Sequence, residues 1–419
     1  MIHNNNIQQG YKQTELGIIP EDWAVRQLGD CVNVYDGTHQ TPNYVPVGIP
    51  FYSVENVTAN NFSHTKHISP NEHKILTSRY KIQKGDILMT RIGSIGVCKY
   101  VDWDVDASFY VSLALLKPYN IDALYLSMAS NATYFKDSIL LNSLQFAIPQ
   151  KINLGNISNV KILVPPIAEQ RAIAEALSDV DGLIAALDKK IAKKRLLKQG
   201  AMQQLLTGKK RLHGFTDEWV EKPIRLLCKL YGRIGFRGYT KADLVHKGEG
   251  AITFSPSDIH EQVISYTNCD YISWRKYDES PEIQVFNGDI IFCKTASIGK
   301  CAIIKNLPEK ATINPQFVVL KDFKCNNEWL YYSIIDRKFQ TVVSGITGGS
   351  TIPTMSQEKL YEQTLLCPPT IEEQQAIATI LSDMDKEIAD LEAQRDKYRL
   401  LKSGMMQKLL TGQIRLKTE

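Results

Sequence analysis

Apolar residues recur at alternating steps of four and three along two long stretches of the chain. The first stretch carries Ile173, Leu177, Val180, Ile184, Leu187 and Ile191, and the second carries Ile377, Leu381, Met384, Ile388 and Leu391. This 3.5-residue period is typical of a coiled-coil seam, which a lone helix leaves exposed to water. The pattern predicts two long helices that pack on each other. An antiparallel pair is the simpler geometry, because globular segments alternate with the helices.

The two stretches are copies of one sequence. Residues 169–212 align with residues 373–416 at a constant offset of 204 positions, and more than half of the aligned positions are identical. Gly208 and Gly412, each directly after Leu-Leu-Thr, suit the end of a helix because glycine adopts a left-handed backbone without strain. Each copy is therefore predicted to form one helix of about forty residues, roughly 60 Å long at 1.5 Å per residue.

Two globular segments alternate with these helices and share a skeleton. KGDILMTRIGSIGVC at residues 84–98 matches NGDIIFCKTASIGKC at residues 287–301, and each predicts a turn, a short apolar strand, a basic residue, a small-residue loop and a further strand. Short strands with few helices indicate an α+β domain. The predicted fold is therefore α+β, with two globular domains of mixed α/β structure separated by two long helices that pair as an antiparallel coiled coil, in a pseudo-twofold internal repeat. The predicted boundaries are an N-terminal arm at 1–18, a first domain at 19–165, a central helical region at 166–212, a second domain at 213–367 and a C-terminal helical region at 368–419.

Composition restricts the class of function only broadly. The chain has 419 residues, more than one core usually organises, and its formal net charge of +4 is too mild to identify a nucleic-acid binder by itself. Its eight cysteines include no CxxC pair, so neither a zinc ribbon nor a disulfide framework is indicated, and reduced thiols fit a cytoplasmic location. The first residues show no signal-peptide pattern and no apolar run reaches membrane-spanning length, so no membrane partner is expected.

The early loops of the two domains differ sharply although the skeleton is shared. The first domain has YDGTHQTPNYVPVG, and the second has YGRIGFRGYTKADLV. Polar, basic and aromatic side chains on rigidly supported loops suit the base edges and phosphates of DNA, while the plainer alternative is an ordinary solvated loop. The candidate base-reading residues are Thr38, His39, Gln40 and Tyr44 in the first domain, and Arg233, Arg237, Tyr239 and Lys241 in the second.

Arg91 and Lys294 occupy matching positions just before the Ser-Ile-Gly loops, which begin at Ser94 and Ser297. We expect these four residues to make equivalent DNA contacts in the two domains. Two alternatives stay open: the basic residues contact phosphate only, or each pairs with a neighbouring carboxylate.

The sequence lacks the motifs that catalysis on DNA would require. An adenine methyltransferase needs a cofactor loop and an NPPY-type turn, but the nearest match, NPQF at residues 314–317, has no partner loop and is interpreted as a strand entry. A Mg²⁺-dependent nuclease needs spaced carboxylates, whereas Asp86 and Asp289 each stand without a second acid and are expected to end turns. The three histidines within residues 64–73 lack a fourth ligand, so no metal site is predicted.

The long helices are expected to carry contacts with each other and with other subunits. The residues assigned to this interface are seam positions and one glycine in each copy, namely Ile173, Leu177, Ile184, Leu187, Gly200, Ile377, Leu381, Ile388, Leu391 and Gly404. Glycine inside a helix costs about 1 kcal/mol against alanine, so Gly200 and Gly404 indicate either a close helix crossing or the docking of a subunit. The basic run at residues 187–198 is explained either by a solvated helix face or by contact with DNA.

Together these motifs resemble the specificity subunits of type I restriction-modification enzymes over essentially the whole chain. The resemblance is carried by GYKQTELGIIPEDW at residues 10–23, by the Pro-Pro pairs before Glu169-Gln170 and Glu373-Gln374, by both RLLK-x-G-x-MQ-x-LLTG tails and by the two GDI…SIG segments. In that family two target recognition domains alternate with two helical regions. Those helices form an antiparallel spacer and also dock two methyltransferase subunits, and restriction (motor-nuclease) subunits complete the complex.

The resemblance implies a non-catalytic subunit that binds double-stranded DNA at two short specific halves separated by a fixed gap. Because the two domains differ in their loops, the two halves should differ as well. No cofactor is expected in this chain, and S-adenosylmethionine, Mg²⁺ and ATP are expected on the partner subunits. The repeat also makes the chain nearly cyclic, so the N-terminal arm is expected to lie beside the C-terminal end.

Two alternative functions are weighed against this interpretation. A self-sufficient DNA methyltransferase or nuclease would bind S-adenosylmethionine as an isolated chain. A duplicated coiled-coil protein-protein adaptor would protect no bipartite DNA sequence.

Overall fold

The computed structural model of the chain describes residues 7–144, 146–346 and 354–416. The chain divides into two compact units, a first unit of residues 1–188 with 393–419 and a second unit of residues 189–392. The first long helix (Ile167–Leu205) and the second long helix (Ile371–Leu409) each belong partly to both units. The limits of the units therefore pass through the helices, and the domain boundaries predicted from the sequence stay predictions.

The first unit combines small, mostly antiparallel sheets with short helices. Its strands are β1 (Tyr11–Thr14), β2 (Gly17–Pro20), β3 (Ala24–Gln27), β4 (Val32–Asp36), β5 (Tyr44–Val45), β6 (Ile49–Tyr52), β7 (Lys66–Ile68), β8 (Ile87–Thr90), β9 (Cys98–Tyr100), β10 (Ser108–Phe109), β11 (Leu113–Pro118) and β12 (Lys161–Val164). Its short helices are Val54–Thr58, Pro70–Leu76, Ala123–Ala129, Thr133–Leu141 and Leu154–Ser158. The strands form sheets in the orders β4-β11-β8-β9, β10-β6-β7-β5, β12-β3 and β1-β2.

The second unit has a similar set of elements. Its strands are β13 (Val220–Pro223), β14 (Lys229–Gly232), β15 (Leu244–Val245), β16 (Gly250–Phe254), β17 (Ile259–His260), β18 (Val263–Ile264), β19 (Asp270–Ser273), β20 (Gln284–Val285), β21 (Ile290–Cys293), β22 (Cys301–Ile303), β23 (Ala311–Ile313), β24 (Phe317–Lys321) and β25 (Thr364–Cys367). Its short helices are Trp274–Asp278, Asn327–Ile335, Arg337–Ile346 and Gln357–Tyr361. The sheet orders are β14-β24-β21-β22, β15-β19-β16-β23-β20, β13-β25 and β17-β18.

One four-stranded antiparallel sheet is common to both units. In the first, Leu115 of β11 lies opposite Leu88 of β8 and Tyr35 of β4. In the second, Val319 of β24 lies opposite Ile291 of β21 and Tyr231 of β14. The shared strand order and register, together with the long helices, confirm the predicted α+β fold with an internal repeat.

The long helices run antiparallel where they meet in the first unit. Lys402 Nζ lies 2.6 Å from Asp181 Oδ1, and Arg395 Nη1 lies 3.4 Å from Asp188 Oδ1. A later residue of the first helix thus pairs with an earlier residue of the second. The seam residues Ile184 and Leu187 are half-buried beside these ion pairs.

The same pairing is found in the second unit with the roles of the helices exchanged. Lys194 Nζ lies 2.7 Å from Glu387, and Lys198 Nζ lies 2.5 Å from Asp385 Oδ1. Ile388 and Leu391 are buried in the seam. The antiparallel pair predicted from the heptad pattern is therefore confirmed within each unit.

Near its start, each long helix belongs to the core of its unit. Ile173 and Leu177 are fully buried in a cluster with Trp23 and with Leu409 of the other helix. At the equivalent places of the second unit, Ile377 and Leu381 are fully buried in a cluster that includes Leu205 and Trp329. The apolar seam therefore continues from the helix pair into each domain.

Left-handed glycines stop both long helices. Gly208 and Gly412 have φ of +69° and +71°, and their amides donate to Leu205 O and Leu409 O. In the first unit the N-terminal arm contacts this C-terminal turn, because Tyr11 Oη donates to Gly412 O at 3.0 Å. Both the predicted helix ends and the predicted neighbourhood of the arm are confirmed.

Candidate nucleic-acid interface

Asp36, at the end of β4, contacts two of the residues predicted to bind DNA in the first unit. Its Oδ1 accepts a hydrogen bond from Arg91 Nη1 at 2.7 Å, and its Oδ2 lies 2.7 Å from His39 Nε2. Arg91 is only 4% exposed, whereas His39 is exposed. The geometry at Arg91 therefore favours the neighbouring carboxylate over a direct DNA contact, because the charge is already neutralised inside the unit.

Thr38, two residues after Asp36, lies beside the end of β10. Its amide donates to Phe109 O at 3.2 Å, and its Oγ1 donates to Gln40 O at 3.3 Å. The preceding Gly37 is required, since a Cβ there would lie 2.5 Å from the carbonyl carbon of Tyr110. The turn is thus held tightly, while the side chain of Gln40 stays exposed.

Tyr44 lines an open cavity of about 740 Å³ in the first unit. Lys66 Nζ lies 4.7 Å from the centre of the Tyr44 ring, and His67 and Tyr110 also line the cavity. Burial raises the pKa of Tyr44. Sequence reasoning did not select Lys66, His67 or Tyr110 as DNA contacts, because strand pairing brings their segments to Tyr44.

The Ser-Ile-Gly loops have the same backbone closure in both units. The amides of Gly96 and Gly299 donate to the carbonyl six residues earlier, at 2.8 and 3.1 Å. Ser94 is exposed, and Ser297 is half-buried. The two loops are therefore closed by the same hydrogen bond, and Ser94 is the more exposed of the two serines.

Lys294 of the second unit lacks the acid that neutralises Arg91. Asp36 lies opposite Ala114 in the first sheet, and Gly232 lies opposite Val318 in the equivalent sheet, so Gly232 stands where Asp36 stands. In the part of the chain that the structure describes, no carboxylate lies within ion-pair distance of Lys294. The two matching basic residues are therefore not equivalent, and Lys294 keeps its charge available for a phosphate.

Arg233 contacts the early loop of the second unit, residues 233–241, from within. Its Nη2 donates to Ile313 O at 3.1 Å, and its Nη1 donates to Arg237 O at 3.3 Å. The guanidinium carbon lies 5.1 Å from the centre of the Tyr239 ring. Burial lowers the pKa of Arg233. These contacts favour a supporting role over base reading by Arg233 itself.

Arg237, Tyr239 and Lys241 follow one another along this loop and differ in accessibility. Arg237 Nη1 lies 3.5 Å from Glu282 Oε2, and Tyr239 is half-buried. Lys241 is exposed at the start of the next turn. The structure brings Arg233, Arg237 and Tyr239 together and leaves Lys241 exposed at the surface. Base reading by Arg237, Tyr239 and Lys241 stays a prediction.

The residues considered for catalysis serve turns in the structure. Asp86 Oδ2 accepts from the amide of Gln83 at 2.7 Å and from Lys117 Nζ at 2.6 Å. Asn314 Oδ1 accepts from the amide of Gln316 at 2.9 Å, directly before β24. The interpretation of these residues as a turn end and a strand entry is confirmed. Among the described residues there is no group of three side chains that could hold a metal ion, and no helix is long and apolar enough to cross a membrane.

The helical glycines do not mark a close helix crossing. A Cβ added to Gly200 or Gly404 would meet nothing within 4 Å. Of the two explanations predicted from the sequence, the close crossing is therefore wrong, because the space that a crossing would fill is open. Subunit docking at these glycines stays a prediction.

The basic run of the first long helix is divided between two surfaces. Lys194, Arg195 and Lys198 pair with acids of the second long helix. Lys189, Lys190 and Lys193 are exposed, and within the described ranges they form no ion pair. Half of the run thus holds the helix pair together, which neither sequence-based explanation had included.

A buried glutamate near the start of the first long helix anchors the first domain. Glu169 is 2% exposed, and it accepts hydrogen bonds from Trp23 Nε1 at 2.9 Å and from Arg415 Nε at 2.6 Å. The hydrogen bonds with Glu169 and Asp22 raise the pKa of Arg415. Trp23 therefore holds the domain against the helix.

The second unit repeats this arrangement. Glu373 is 1% exposed, and it accepts from Trp219 Nε1 at 3.2 Å and from Arg211 Nε at 2.8 Å. Sequence reasoning used both glutamates as family markers but predicted no contact for them and did not select either arginine, although both pairs recur at the offset of 204 positions that links Arg211 to Arg415. We call each set of tryptophan, glutamate and arginine a clasp.

Comparison with known proteins gives one consistent result. A family model described as the type I restriction modification DNA specificity domain matches residues 20–194 and 240–398. The putative type I restriction enzyme MjaX specificity subunit of Methanocaldococcus jannaschii is 26% identical over 438 residues, covering 98% of this chain and 98% of that protein. The MjaVIII specificity subunit of the same organism is 24% identical over 440 residues, covering 98% of this chain and 97% of the other.

Two solved structures share the fold. The S subunit of a type I restriction-modification system from M. genitalium superposes with a TM-score of 0.59 at 12% identity, covering 100% of this chain and 99% of that one. A chain from a study of complex assembly and conformational transition of the type I R-M system gives a TM-score of 0.57 at 14% identity, covering 94% and 99% of the two chains.

Proposed function

The chain belongs to the type I restriction-modification DNA specificity family, and from this premise we propose that it selects an asymmetric bipartite target in double-stranded DNA. As a specificity subunit it recognises DNA and leaves catalysis to other subunits. Each unit would read one short half of the target, and the bases between the halves would go unread.

One observation carries this proposal: the two units share a sheet but present different chemistry at the same place on it. Asp36 pairs with Arg91 in the first unit, whereas Gly232 stands at the equivalent place in the second and no described carboxylate pairs with Lys294. Two DNA-binding surfaces that differ in their side chains but share the same sheet suit two half-sites that differ in sequence. The candidate base-reading side chains that lie at the surface are His39, Gln40 and Tyr44 in the first unit and Lys241 in the second.

The paired helices support a fixed spacing between the halves. Each long helix has 39 residues, roughly 58 Å at 1.5 Å per residue, and each takes part in both units. Ion pairs and buried seam residues stiffen the pair inside each unit. We therefore assign the length of the unread gap to these helices.

The same helices offer two similar surfaces for partner subunits. Leu196 and Leu197 of the first helix are exposed, as are Leu400 and Leu401 at the equivalent places of the second. The open space at Gly200 and Gly404 lies within one turn of these leucines. We propose that one methyltransferase subunit docks on each surface and that the restriction subunits join that complex. S-adenosylmethionine, Mg²⁺ and ATP would then be held by the partners.

The function is tested by mapping methylated adenines in cells that express this chain together with its methyltransferase. We expect methylation at one asymmetric sequence made of two specific halves and a gap of constant length. Methylation at a continuous or palindromic site would contradict the proposal. Methylation by the chain alone would favour a self-sufficient methyltransferase.

Replacing Lys294 by alanine should weaken DNA binding of the methyltransferase complex for every sequence, because no carboxylate in the described part of the chain pairs with its ammonium. A lost phosphate contact lowers the slope of log affinity against log salt by about 0.9. Binding is measured at several salt concentrations on the mapped target and on an unrelated duplex.

Arg91→Ala is the matched variant in the first unit. Since Arg91 is neutralised by Asp36, we expect its loss to leave the salt slope unchanged and to destabilise the first unit. Equal slopes for the Lys294 variant and the unmodified chain would show that Lys294 contacts no phosphate.

A further inference from the structure

The first unit carries two apolar side chains that contact almost nothing in their own chain. They are Phe146 and Ile148, in the loop between Leu144 and Lys151, and they are 98% and 99% exposed. Single exposed apolar residues are common on protein surfaces, but a bare aromatic ring beside a bare branched side chain is not. We call these two residues the apolar tip.

Backbone hydrogen bonds hold the loop that carries the apolar tip. Leu144 N donates to Lys151 O at 2.8 Å, which closes the loop on itself. Gly93 N donates to Gln150 O at 2.8 Å, and Ile152 N donates to Arg91 O at 3.0 Å. The loop is therefore held against the segment that leads to the exposed Ser94.

The charge around the apolar tip suits a polyanion. The loop that carries the apolar tip, residues 144–151, contains no aspartate or glutamate, and its one charged residue is Lys151. The next basic residue, Lys161, pairs with Glu15. A loop without carboxylates can approach the phosphates on both sides of a DNA groove without electrostatic repulsion.

The form of the apolar tip also favours DNA. Two side chains that project from one narrow loop cannot bury the area that a stable protein interface needs. DNA-binding proteins do insert such wedges of Phe, Leu, Ile, Met or Pro between base steps from the minor groove, where they unstack and kink the duplex. We propose that Phe146 and Ile148 form a wedge of this kind at one base step of the first half-site.

The wedge belongs to one half of the target. The offset of 203 positions that relates Arg91 to Lys294 also holds here, because Met355 N donates to Lys294 O as Ile152 N donates to Arg91 O. Gly349 then corresponds to Phe146 and Thr351 to Ile148, and both lie outside the described residues. The second copy thus lacks the aromatic residue by sequence. Distortion of the DNA is therefore expected in the first half-site and not in the second. The inference rests on the proposed function, because it presupposes that the first unit binds DNA.

The test uses the complex of the full chain with its methyltransferase and duplexes that carry 2-aminopurine at successive positions of the mapped target. Binding should raise the fluorescence at one step of the first half-site, because unstacking relieves quenching. The double variant Phe146→Ala with Ile148→Ala should abolish this rise and weaken binding by about tenfold, as the loss of roughly 1.4 kcal/mol of stacking implies. Leu141→Ala is the matched control, since Leu141 is equally a surface residue of this unit.

A duplex with a mismatch at the responsive step separates the possible outcomes. The unmodified complex should bind it more tightly than the perfect duplex, because the cost of unstacking is already met, and the double variant should gain less. Unchanged affinity and fluorescence in the double variant would overturn the wedge, and weaker association with the methyltransferase would identify the apolar tip as a protein contact. If the unmodified complex binds no bipartite duplex at all, the proposed function itself fails.

Discussion

Arg211→Met should lower the free energy of unfolding by about 3 kcal/mol, because it leaves the buried Glu373 carboxylate without its cation. Methionine is apolar and of similar length, so the loss reports the charge of the guanidinium, including its cation–π contact with Trp219, whose ring centre lies 5.6 Å from the guanidinium carbon. Denaturant unfolding followed by tryptophan fluorescence measures the change.

Two further variants separate the clasp from an ordinary ion pair. Arg225 and Glu362 form an exposed pair in the same unit, and Arg225→Met should cost less than about 1 kcal/mol. Arg211→Met combined with Glu373→Gln should recover most of the lost stability, because the glutamine is neutral and still accepts from Trp219. If Arg211→Met costs no more than Arg225→Met, the clasp contributes little.

The clasps also test whether equivalent substitutions in the two units lower the free energy of unfolding by similar amounts. Arg415 contacts Glu169 as Arg211 contacts Glu373, although the two arginines lie at opposite ends of the sequence relative to their domains. Arg415 has a second acid, Asp22, which is half exposed. The first unit should therefore respond to Arg415→Met much as the second unit responds to Arg211→Met.

The long helices were predictable because the heptad pattern that specifies them is local in sequence and occurs in two copies. Heptad spacing fixes a helix and its seam, and the constant offset of the two copies fixes which residues are equivalent. The ends at Gly208 and Gly412 followed from the conformational freedom of glycine. The antiparallel direction required only that globular segments alternate with the helices.

The recognition surfaces were less predictable because their contacts are long-range. Nothing near Arg91 in the sequence shows that Asp36, 55 positions earlier, will neutralise it. Its match with Lys294 suggested equal roles, and the difference depends on Gly232, which only strand pairing places. Gly200 and Gly404 failed as markers of a crossing for a related reason, since a helical period does not say what lies beyond a given face.

A seven-residue insertion in each long helix should lengthen the unread gap by about three base pairs, since seven residues add roughly 10.5 Å and duplex DNA advances about 3.4 Å per base pair. We place the insertions after Ala192 and after Leu391, close to the ion pair of Arg195 with Glu392 in the second unit. Each insertion copies the preceding seven residues, which preserves the apolar seam and the charges. Mapping methylated adenines should then show both half-sites unchanged with a longer gap.

Rotation of the DNA makes this prediction quantitative. Three extra base pairs also turn the second half-site by about a third of a turn, because duplex DNA completes a turn in 10–10.5 base pairs. Insertions of 21 residues add roughly 31 Å, or about nine base pairs, which returns the half-site nearly to its original face. Methylation should therefore be stronger with 21 inserted residues than with seven, although the gap is longer.

An insertion in one helix alone moves its ion pairs out of register and should abolish methylation. An unchanged gap with full methylation in the paired insertions would show that these helices do not set the distance.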